Sequence, residues 1–195
     1  MSDRLKIHLI RHPKPAVASG VCYGQTDLAL FDDANSAAER LRPHLPQRFD
    51  LISSPLRRCR QLAEALTADM PNDMPTDVRL KEMHFGDWEN RRWDDIPRAD
   101  LDAWAAAPFD YTPPGGESAA AMAARVIAFA NQLASPPRPS NADLILVSHQ
   151  GPLRVLITHW LDLPRESWLK LQLDYAASTC IELSRHGNRL LWLNR

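Results

Sequence analysis

An uninterrupted apolar run at residues 144–147 ends at the polar sequence Ser-His-Gln-Gly of residues 148–151. A short run of this kind, bounded by a turn, is typical of an interior parallel strand that helices cover on both faces. Pro152 follows, where the first turn of a helix tolerates proline, and apolar residues continue to Leu161. The segment therefore predicts a strand, a turn and a helix, and a parallel sheet around them.

Two earlier segments predict the same kind of unit. Residues 6–10 alternate as a short strand that runs into Arg-His-Pro at 11–13, and proline stops its continuation. Residues 49–52 form a second predicted strand. The helix after it carries apolar residues at helical spacing, with Ser54 as its predicted N-cap and Pro55 at its first position.

The other predicted elements complete an alternation of strands and helices. They are a helix from a Ser36/Glu39 capping box to about Leu45, a short strand at 78–81, helical patterning at 93–107, a helix from about Glu117 or Ser118 to Leu133, a proline-rich linker at 135–140 and a hairpin of strands 179–183 and 190–193. We predict an α/β fold, a three-layer α/β/α sandwich whose sheet is mostly parallel with one antiparallel edge strand. A chain of 195 residues predicts one domain, residues 1–195.

Composition narrows the classes of function. The net charge of −1 lacks the basic excess of a nucleic-acid binder. No apolar stretch approaches the roughly 18 residues of a membrane span, and the N-terminus shows no signal-peptide core. Three cysteines without a CxxC pair argue against a disulfide framework. We therefore expect a cytoplasmic protein with no nucleic-acid or membrane partner, whose oligomeric state the sequence leaves open.

Candidate site residues lie where predicted strands end. Ligands of parallel α/β sheets bind beyond the carboxyl ends of the strands, where Arg11, His12, Arg58 and His149 would converge as an anion site. Any one histidine alone is more often structural. Two at equivalent strand ends, one beside an arginine, favour phosphoryl transfer, in which a neutral imidazole attacks phosphorus and cations stabilise the phosphoryl oxygens.

Missing motifs argue against other designs of phosphatase and hydrolase. None of the three cysteines is followed by arginine at the Cys-x5-Arg spacing of a cysteine phosphatase. The DxDx[TV], P-loop and GxSxG signatures are also absent. A metal site is a weaker interpretation, because no HExxH motif accompanies the histidines.

Five motifs stand in order along the chain, at residues 8–13 (HLIRHP), 53–63 (SSPLRRCRQLA), 80–89 (LKEMHFGDWE), 114–118 (PGGES) and 147–154 (VSHQGPLR). In sequence and in order they resemble the motifs of the histidine phosphatase, or phosphoglycerate mutase-like, superfamily. The resemblance implies that His12 is the nucleophile and Glu82 the proton donor, with no metal and no cofactor. The phosphate pocket that it implies consists of Arg11, Arg58, His149 and the backbone amide of Gln150.

Several positions depart from the family's pattern. Pro13 replaces the usual glycine after the nucleophile and removes a backbone donor. Pro15 and Ala18 stand where many members carry threonine and a phosphate-contacting asparagine. Asn90 and Gln150 replace smaller residues, and we expect them to narrow the entrance to the phosphate pocket. We expect activity to survive, with weaker or altered substrate binding.

The loop at residues 20–28 carries the best indication of substrate. Its Cys-Tyr-Gly-x-x-Asp sequence is similar to that of α-ribazole-5′-phosphate phosphatases, which act late in cobalamin nucleotide-loop assembly. The similarity implies that Tyr23, Gly24 and Gln25 lie over the substrate, a small phosphate monoester. Asp27 could share that role or only cap a turn.

Three alternatives remain open from the sequence. Phosphoglycerate mutases of this superfamily are longer, with an insertion and a C-terminal tail over the site. Here the chain ends at Arg195, right after the last predicted strand, so we expect water to reach and hydrolyse the intermediate. A broad sugar-phosphate phosphatase and a phospho-ligand binding domain without turnover are the other two.

Overall fold

One mixed sheet organises the protein. The computed structural model describes residues 4–70, 74–134 and 142–195, and within them five strands follow the order β2-β3-β1-β4-β5. The strands are β1 (Arg4–Arg11), β2 (Phe49–Ser53), β3 (Asp143–Ser148), β4 (Ser178–Ser184) and β5 (Arg189–Trp192). Strand β3 pairs in parallel with both β1 and β2.

The C-terminal hairpin extends this sheet on the other side of β1. Strand β4 runs antiparallel to β1, and β5 returns antiparallel to β4. The predicted mostly parallel sheet is confirmed, as is the hairpin. The antiparallel strand, however, lies inside the sheet rather than at its edge, because β5 continues the sheet beyond it and forms the edge.

Helices cover both faces of the sheet, as predicted. They are α1 (Ala34–Leu41), α2 (Arg57–Leu66), α3 (Arg98–Ala106), α4 (Ala119–Ala134) and α5 (Gln150–Trp160). Alternate residues of β3 face opposite layers, since successive side chains of a strand point to opposite faces. Leu144 and Leu146 pack in the cluster that holds α4 and α5, whereas Ile145 and Val147 pack with α1 and α2.

A smaller aromatic cluster supports the loop that precedes α1. Cys22 is buried against Trp88, and the rings of Trp93 and Trp104 stack with their centroids 5.6 Å apart. The backbone joins the same parts, because Cys22 N–H donates to Arg91 O over 2.8 Å. The cluster therefore fixes the loop from which Tyr23 emerges.

Helix starts differ from those predicted. Asp33, not Ser36, caps α1, because its carboxylate accepts from the backbone N–H of Ser36 over 3.0 Å. Helix α2 begins at Arg57 with extended Leu56 as its N-cap, so the prediction of Ser54 as the cap is wrong. The carboxylate of Asp27 instead accepts a hydrogen bond from the backbone N–H of Arg57 at this helix end.

Short 3-10 helices replace two other predicted features. Residues 78–81 were expected to form a strand, but Val78–Leu80 form a 3-10 turn capped by the carboxylate of Asp77. The predicted helix to Leu45 ends as α1 at Leu41 and continues as a 3-10 turn, Arg42–His44. Further 3-10 turns are Gly86–Trp88, Trp93–Asp95 and Arg165–Lys170. The predicted linker at 135–140 lies outside the described residues.

Across the described ranges, no helix combines the length and the apolar character needed to cross a membrane.

Candidate active site

The two histidines of the site follow neighbouring strands. Arg11 at the end of β1 is in register with Ser148 at the end of β3, and His12 N–H donates to Ser148 O over 3.0 Å. This pairing brings the buried rings of His12 and His149 together, with centroids 5.0 Å apart. The predicted convergence at the carboxyl ends of the strands is thus what the structure shows.

His12 is oriented by a hydrogen bond on each ring nitrogen. Its Nδ1–H donates to the carbonyl oxygen of Pro13 over 2.6 Å. Its Nε2 accepts from Nε–H of Arg58 over 3.2 Å. This tautomer leaves the lone pair of Nε2 facing a guanidinium, where an anion would bind. Pro13 gives up a backbone N–H but supplies the carbonyl that holds the ring.

Both histidines are held neutral. Burial, followed by the positive charge of Arg58, lowers the pKa of His12 and of His149 well below 6.5. Arg11 acts on both in the same direction. A neutral imidazole keeps a lone pair available at neutral pH, which is what a nitrogen nucleophile requires.

Arg58 is completely buried in the first turn of α2. Beside its bond to His12, it donates from Nη1 to Thr26 O over 2.8 Å and from Nη2 to Gly24 O over 2.6 Å. Two loop carbonyls and one imidazole thus fix the plane of the guanidinium. Arginine, with its fork of donors, suits this arrangement better than lysine would.

Glu89 holds the loop that holds Arg58. Its carboxylate accepts from the backbone N–H of Gln25 over 2.9 Å and of Thr26 over 2.6 Å, and also from Phe85 N–H over 3.0 Å. Burial opposes its ionisation, but these hydrogen bonds outweigh burial and lower the pKa of Glu89. Glu89 therefore acts on Arg58 through the loop.

The predicted substrate loop is packed more tightly than expected. A Cβ on Gly24 would lie 2.1 Å from Met83 O, so only glycine fits there. The side-chain amide of Gln25 donates to Glu82 O over 3.1 Å. Asp27 accepts from Arg57 N–H over 2.6 Å and so satisfies the start of α2. Gly24 and Gln25 support the site's walls here, and their contact with substrate stays a prediction.

Glu82 lies at the N-terminus of α5. Its carboxylate accepts from Met83 N–H over 3.0 Å and from Gly151 N–H over 3.3 Å. A Cβ on Gly151 would lie 2.3 Å from Oε1 of Glu82. Glycine at this position thus leaves room for the carboxyl group of Glu82 beside the N-terminus of α5. That helix begins at Gln150, directly after His149.

His149 has a polar neighbour that motif spacing did not assign. Its Nε2 is hydrogen bonded to Oγ of Ser54 over 2.8 Å, and Sγ of Cys59 lies 3.4 Å from the same nitrogen. Ser54, wrongly predicted as a helix cap, thus holds the second histidine. Burial raises the pKa of the Cys59 thiol, which keeps it protonated beside the ring.

Arg11 is held by residues far along the chain. Nη1 donates to Leu173 O over 2.6 Å, and the guanidinium carbon lies 3.7 Å from the ring centroid of Tyr175. Its Nε is buried and has no hydrogen-bond partner among the described residues. Tyr175, in a segment with no recognisable motif, thus lies beside the catalytic candidates.

The structure also places three other departures, at Asn90, Pro15 and Ala18. Asn90 has a φ of 66°, a left-handed conformation that favours glycine and that asparagine tolerates better than most residues. Its side-chain amide donates to Oγ1 of Thr26 over 3.4 Å. Pro15 pairs as an isolated bridge with Leu30, and Ala18 is exposed. Asn90 thus binds the substrate loop rather than projecting free.

Known proteins match this chain over most of its length. The family model described as the histidine phosphatase superfamily (branch 1) matches residues 7–195. The adenosylcobalamin/alpha-ribazole phosphatase of Salmonella typhimurium is 30% identical over 97% of this chain and 96% of its own. The glucosyl-3-phosphoglycerate phosphatase of Mycolicibacterium vanbaalenii is 30% identical over 84% of this chain and 77% of its own.

A solved structure shares the fold at full length. The crystal structure of the alpha-ribazole phosphatase from Shigella flexneri has a TM-score of 0.87 and 27% sequence identity to this chain. The match covers 98% of this chain and 96% of that one.

Proposed function

Because this chain is a phosphatase of the histidine phosphatase superfamily, we propose that it hydrolyses a small phosphate monoester through a phosphohistidine at His12. The observation that carries the proposal is the orientation of the His12 ring. Nδ1 is committed to Pro13 O, and the unprotonated Nε2 faces the Nε–H of Arg58.

In the first step, Nε2 of His12 attacks phosphorus, and the ester P–O bond breaks as the N–P bond forms. Arg58 and Arg11 stabilise the negative charge on the phosphoryl oxygens. Glu82, in its protonated form, gives its proton to the leaving oxygen. The imidazole becomes cationic, and the Nδ1–H bond to Pro13 O strengthens as that charge develops.

In the second step, water attacks the phosphorus of the intermediate. Glu82, now ionised, takes a proton from the water as the new P–O bond forms and the N–P bond breaks. Release of inorganic phosphate returns His12 and Glu82 to their starting protonation states. The proposed cycle uses the chain's own side chains, with no metal ion or cofactor.

The proposed substrate is α-ribazole 5′-phosphate. The Cys-Tyr-Gly-x-x-Asp sequence of residues 22–27 supports this proposal. So does the similarity to the adenosylcobalamin/alpha-ribazole phosphatase of Salmonella typhimurium, which matches nearly the whole chain. The Tyr23 ring lies 5.5 Å from the guanidinium carbon of Arg58. An aromatic face next to the phosphate pocket suits a substrate with a flat heteroaromatic group.

Turnover is tested with p-nitrophenyl phosphate in the presence of EDTA. We expect p-nitrophenol release by the wild type and its loss in His12→Ala. A wild-type rate no higher than that of His12→Ala would leave a phospho-ligand binding domain. Loss of the wild-type rate on adding EDTA would overturn metal independence.

Substrate identity is tested by comparing kcat/KM for α-ribazole 5′-phosphate with a panel of sugar and nucleotide monophosphates. We expect a clear preference for α-ribazole 5′-phosphate. Equal rates across the panel would indicate a broad sugar-phosphate phosphatase, and phosphoryl transfer between phosphoglycerates would indicate a mutase. Either result would contradict the proposed substrate but would not contradict the phosphohistidine chemistry.

A further inference from the structure

The segment of residues 173–176, which precedes β4, surrounds Arg11. Leu173 O accepts from Nη1 of Arg11 over 2.6 Å, and Ala176 N–H donates to the Arg11 carbonyl over 3.1 Å. Between these two contacts, the ring of Tyr175 lies under the guanidinium at 3.7 Å. Both the backbone and the side chain of Arg11 are therefore fixed by this one segment.

Asn194 fastens the segment to the edge of the sheet. Its Oδ1 accepts from Asp174 N–H over 3.0 Å, and its Nδ2 donates to Gln172 O over 2.9 Å. These hydrogen bonds of the Asn194 side chain lie on either side of Leu173 and restrict how far its backbone can move. The position of the Tyr175 ring is thus determined by the fold rather than by a free loop.

Tyr175 also reaches across the site to the opposite loop. Its hydroxyl is 2.7 Å from the hydroxyl of Tyr23, which precedes the Gly24 carbonyl that holds Arg58. Its ring centroid is 5.7 Å from that of His12. Burial and the hydrogen bond to Tyr175 raise the pKa of Tyr23, so its hydroxyl stays protonated at neutral pH.

The contacts of Arg11 leave a buried donor for a ligand. Nη1 is used by Leu173 O, whereas Nε–H is buried without a hydrogen-bond partner among the residues described. A buried donor without a partner is costly, and an anion in the pocket would satisfy it. Because the Tyr175 ring sets the plane of the guanidinium, it also sets the direction of that Nε–H.

We propose that Tyr175 is a positioning residue, which stacks under Arg11, bridges to Tyr23 and so aims the free Nε–H of Arg11 at the phosphoryl group. This inference rests on the proposed function, since it needs a phosphoryl group beside His12. In this role Tyr175 takes no part in the bond changes at phosphorus. Its effect passes through Arg11.

The experiment measures orthovanadate binding and the kcat/KM of p-nitrophenyl phosphate in Tyr175→Leu and Tyr175→Phe. Tyr175→Leu removes the ring, and we expect both quantities to worsen by about tenfold, the loss of one well-packed cation–π contact. Tyr175→Phe keeps the ring and is expected to recover most of that loss. Equal values for wild type and Tyr175→Leu would overturn the proposal, as would Phe behaving like Leu.

A double-mutant cycle separates positioning from a general loss of structure. In an Arg11→Met background, Tyr175→Leu should add little further loss, because the group that it positions is already gone. Additive losses would show that Tyr175 acts independently of Arg11 and would contradict the proposal.

Binding and turnover also distinguish the two proposals. A wild type that binds orthovanadate without turnover would overturn the proposed function, while the binding series would still decide the role of Tyr175. A wild type that binds no orthovanadate would remove the anion pocket, and with it this inference.

Discussion

Nε–H of Arg58 donates to Nε2 of His12 over 3.2 Å, inside a site where both side chains are buried. This contact places a fixed positive charge at the lone pair of the imidazole and disfavours a proton there. The same guanidinium is anchored by two loop carbonyls, so it cannot swing away without breaking them.

Replacing Arg58 should disable the site even when charge is kept. Arg58→Ala removes the charge and three hydrogen bonds, and we expect kcat/KM to fall by about 10²- to 10³-fold or more. Arg58→Lys should recover little, because an ammonium cannot reproduce the planar fork. The matched control is the exposed neighbour, Arg57→Lys. Steady-state kinetics in which Arg58→Lys equals the wild type would refute this role.

Buried neutral histidines should make the fold less stable in mild acid. The pKa values of His12 and His149 lie below 6.5 in the folded state, so the unfolded chain binds more protons below that pH. The stability is present above pH 6.5 and is lost as pH falls toward the folded pKa values. Between about pH 7.5 and about pH 5.5, each histidine should cost unfolding free energy on the order of 1 kcal/mol.

Urea unfolding of wild type and His149→Gln at these two pH values measures that cost. The variant has one titrating ring fewer, so its loss of stability should be smaller, by an amount on the order of 1 kcal/mol. An equal loss in the two proteins would show that His149 does not take up a proton on unfolding.

Removing the acid at Glu82 should be felt most with poor leaving groups. Glu82→Gln keeps the shape but cannot protonate the leaving oxygen. We expect a loss of about 10²- to 10⁴-fold on an alkyl phosphate and a much smaller loss on p-nitrophenyl phosphate. Asp87→Asn, which alters an exposed carboxylate of the same motif, is the control. Equal losses on both substrates would remove Glu82 from the acid role.

A methyl group at position 151 should act on the same step. In Gly151→Ala, the new Cβ would lie 2.3 Å from Oε1 of Glu82, so the carboxyl group must move. We expect a loss on the alkyl phosphate that exceeds the loss on p-nitrophenyl phosphate, as for Glu82→Gln. In the Glu82→Gln background, Gly151→Ala should cost little more on either substrate. Kinetics that show equal losses on the two substrates would indicate that Gly151 serves packing alone.

Local patterns were sufficient for much of the fold and for the centre of the site. The apolar run of β3 and the alternation of β1 predict two strands of a mostly parallel sheet. The structure places them side by side, and their ends bring His12 and His149 together. Motif spacing likewise places Arg58 in the first turn of α2, where it reaches His12. The roles of these side chains are what the kinetic variants test.

What the sequence did not predict depends on partners distant along the chain. Arg11 and Leu173 are 162 positions apart, and no motif near Tyr175 indicates that its ring will meet Arg11. Serine is a residue type that often caps helices, but the hydroxyl of Ser54 is hydrogen bonded to the buried ring of His149. Glu89 is the last residue of the motif at 80–89, but only its contacts show that it holds the loop of Gln25 and Thr26.

In the proposed reaction, phosphorus becomes covalently bonded to Nε2 of His12. Wild type mixed rapidly with a phosphate monoester, quenched in alkali and digested should yield a phosphorylated peptide that contains His12, with the modification on the imidazole. The same treatment of His12→Ala should yield none. A wild type that turns over substrate without a phosphopeptide, or with the phosphoryl group on another residue, would contradict the account.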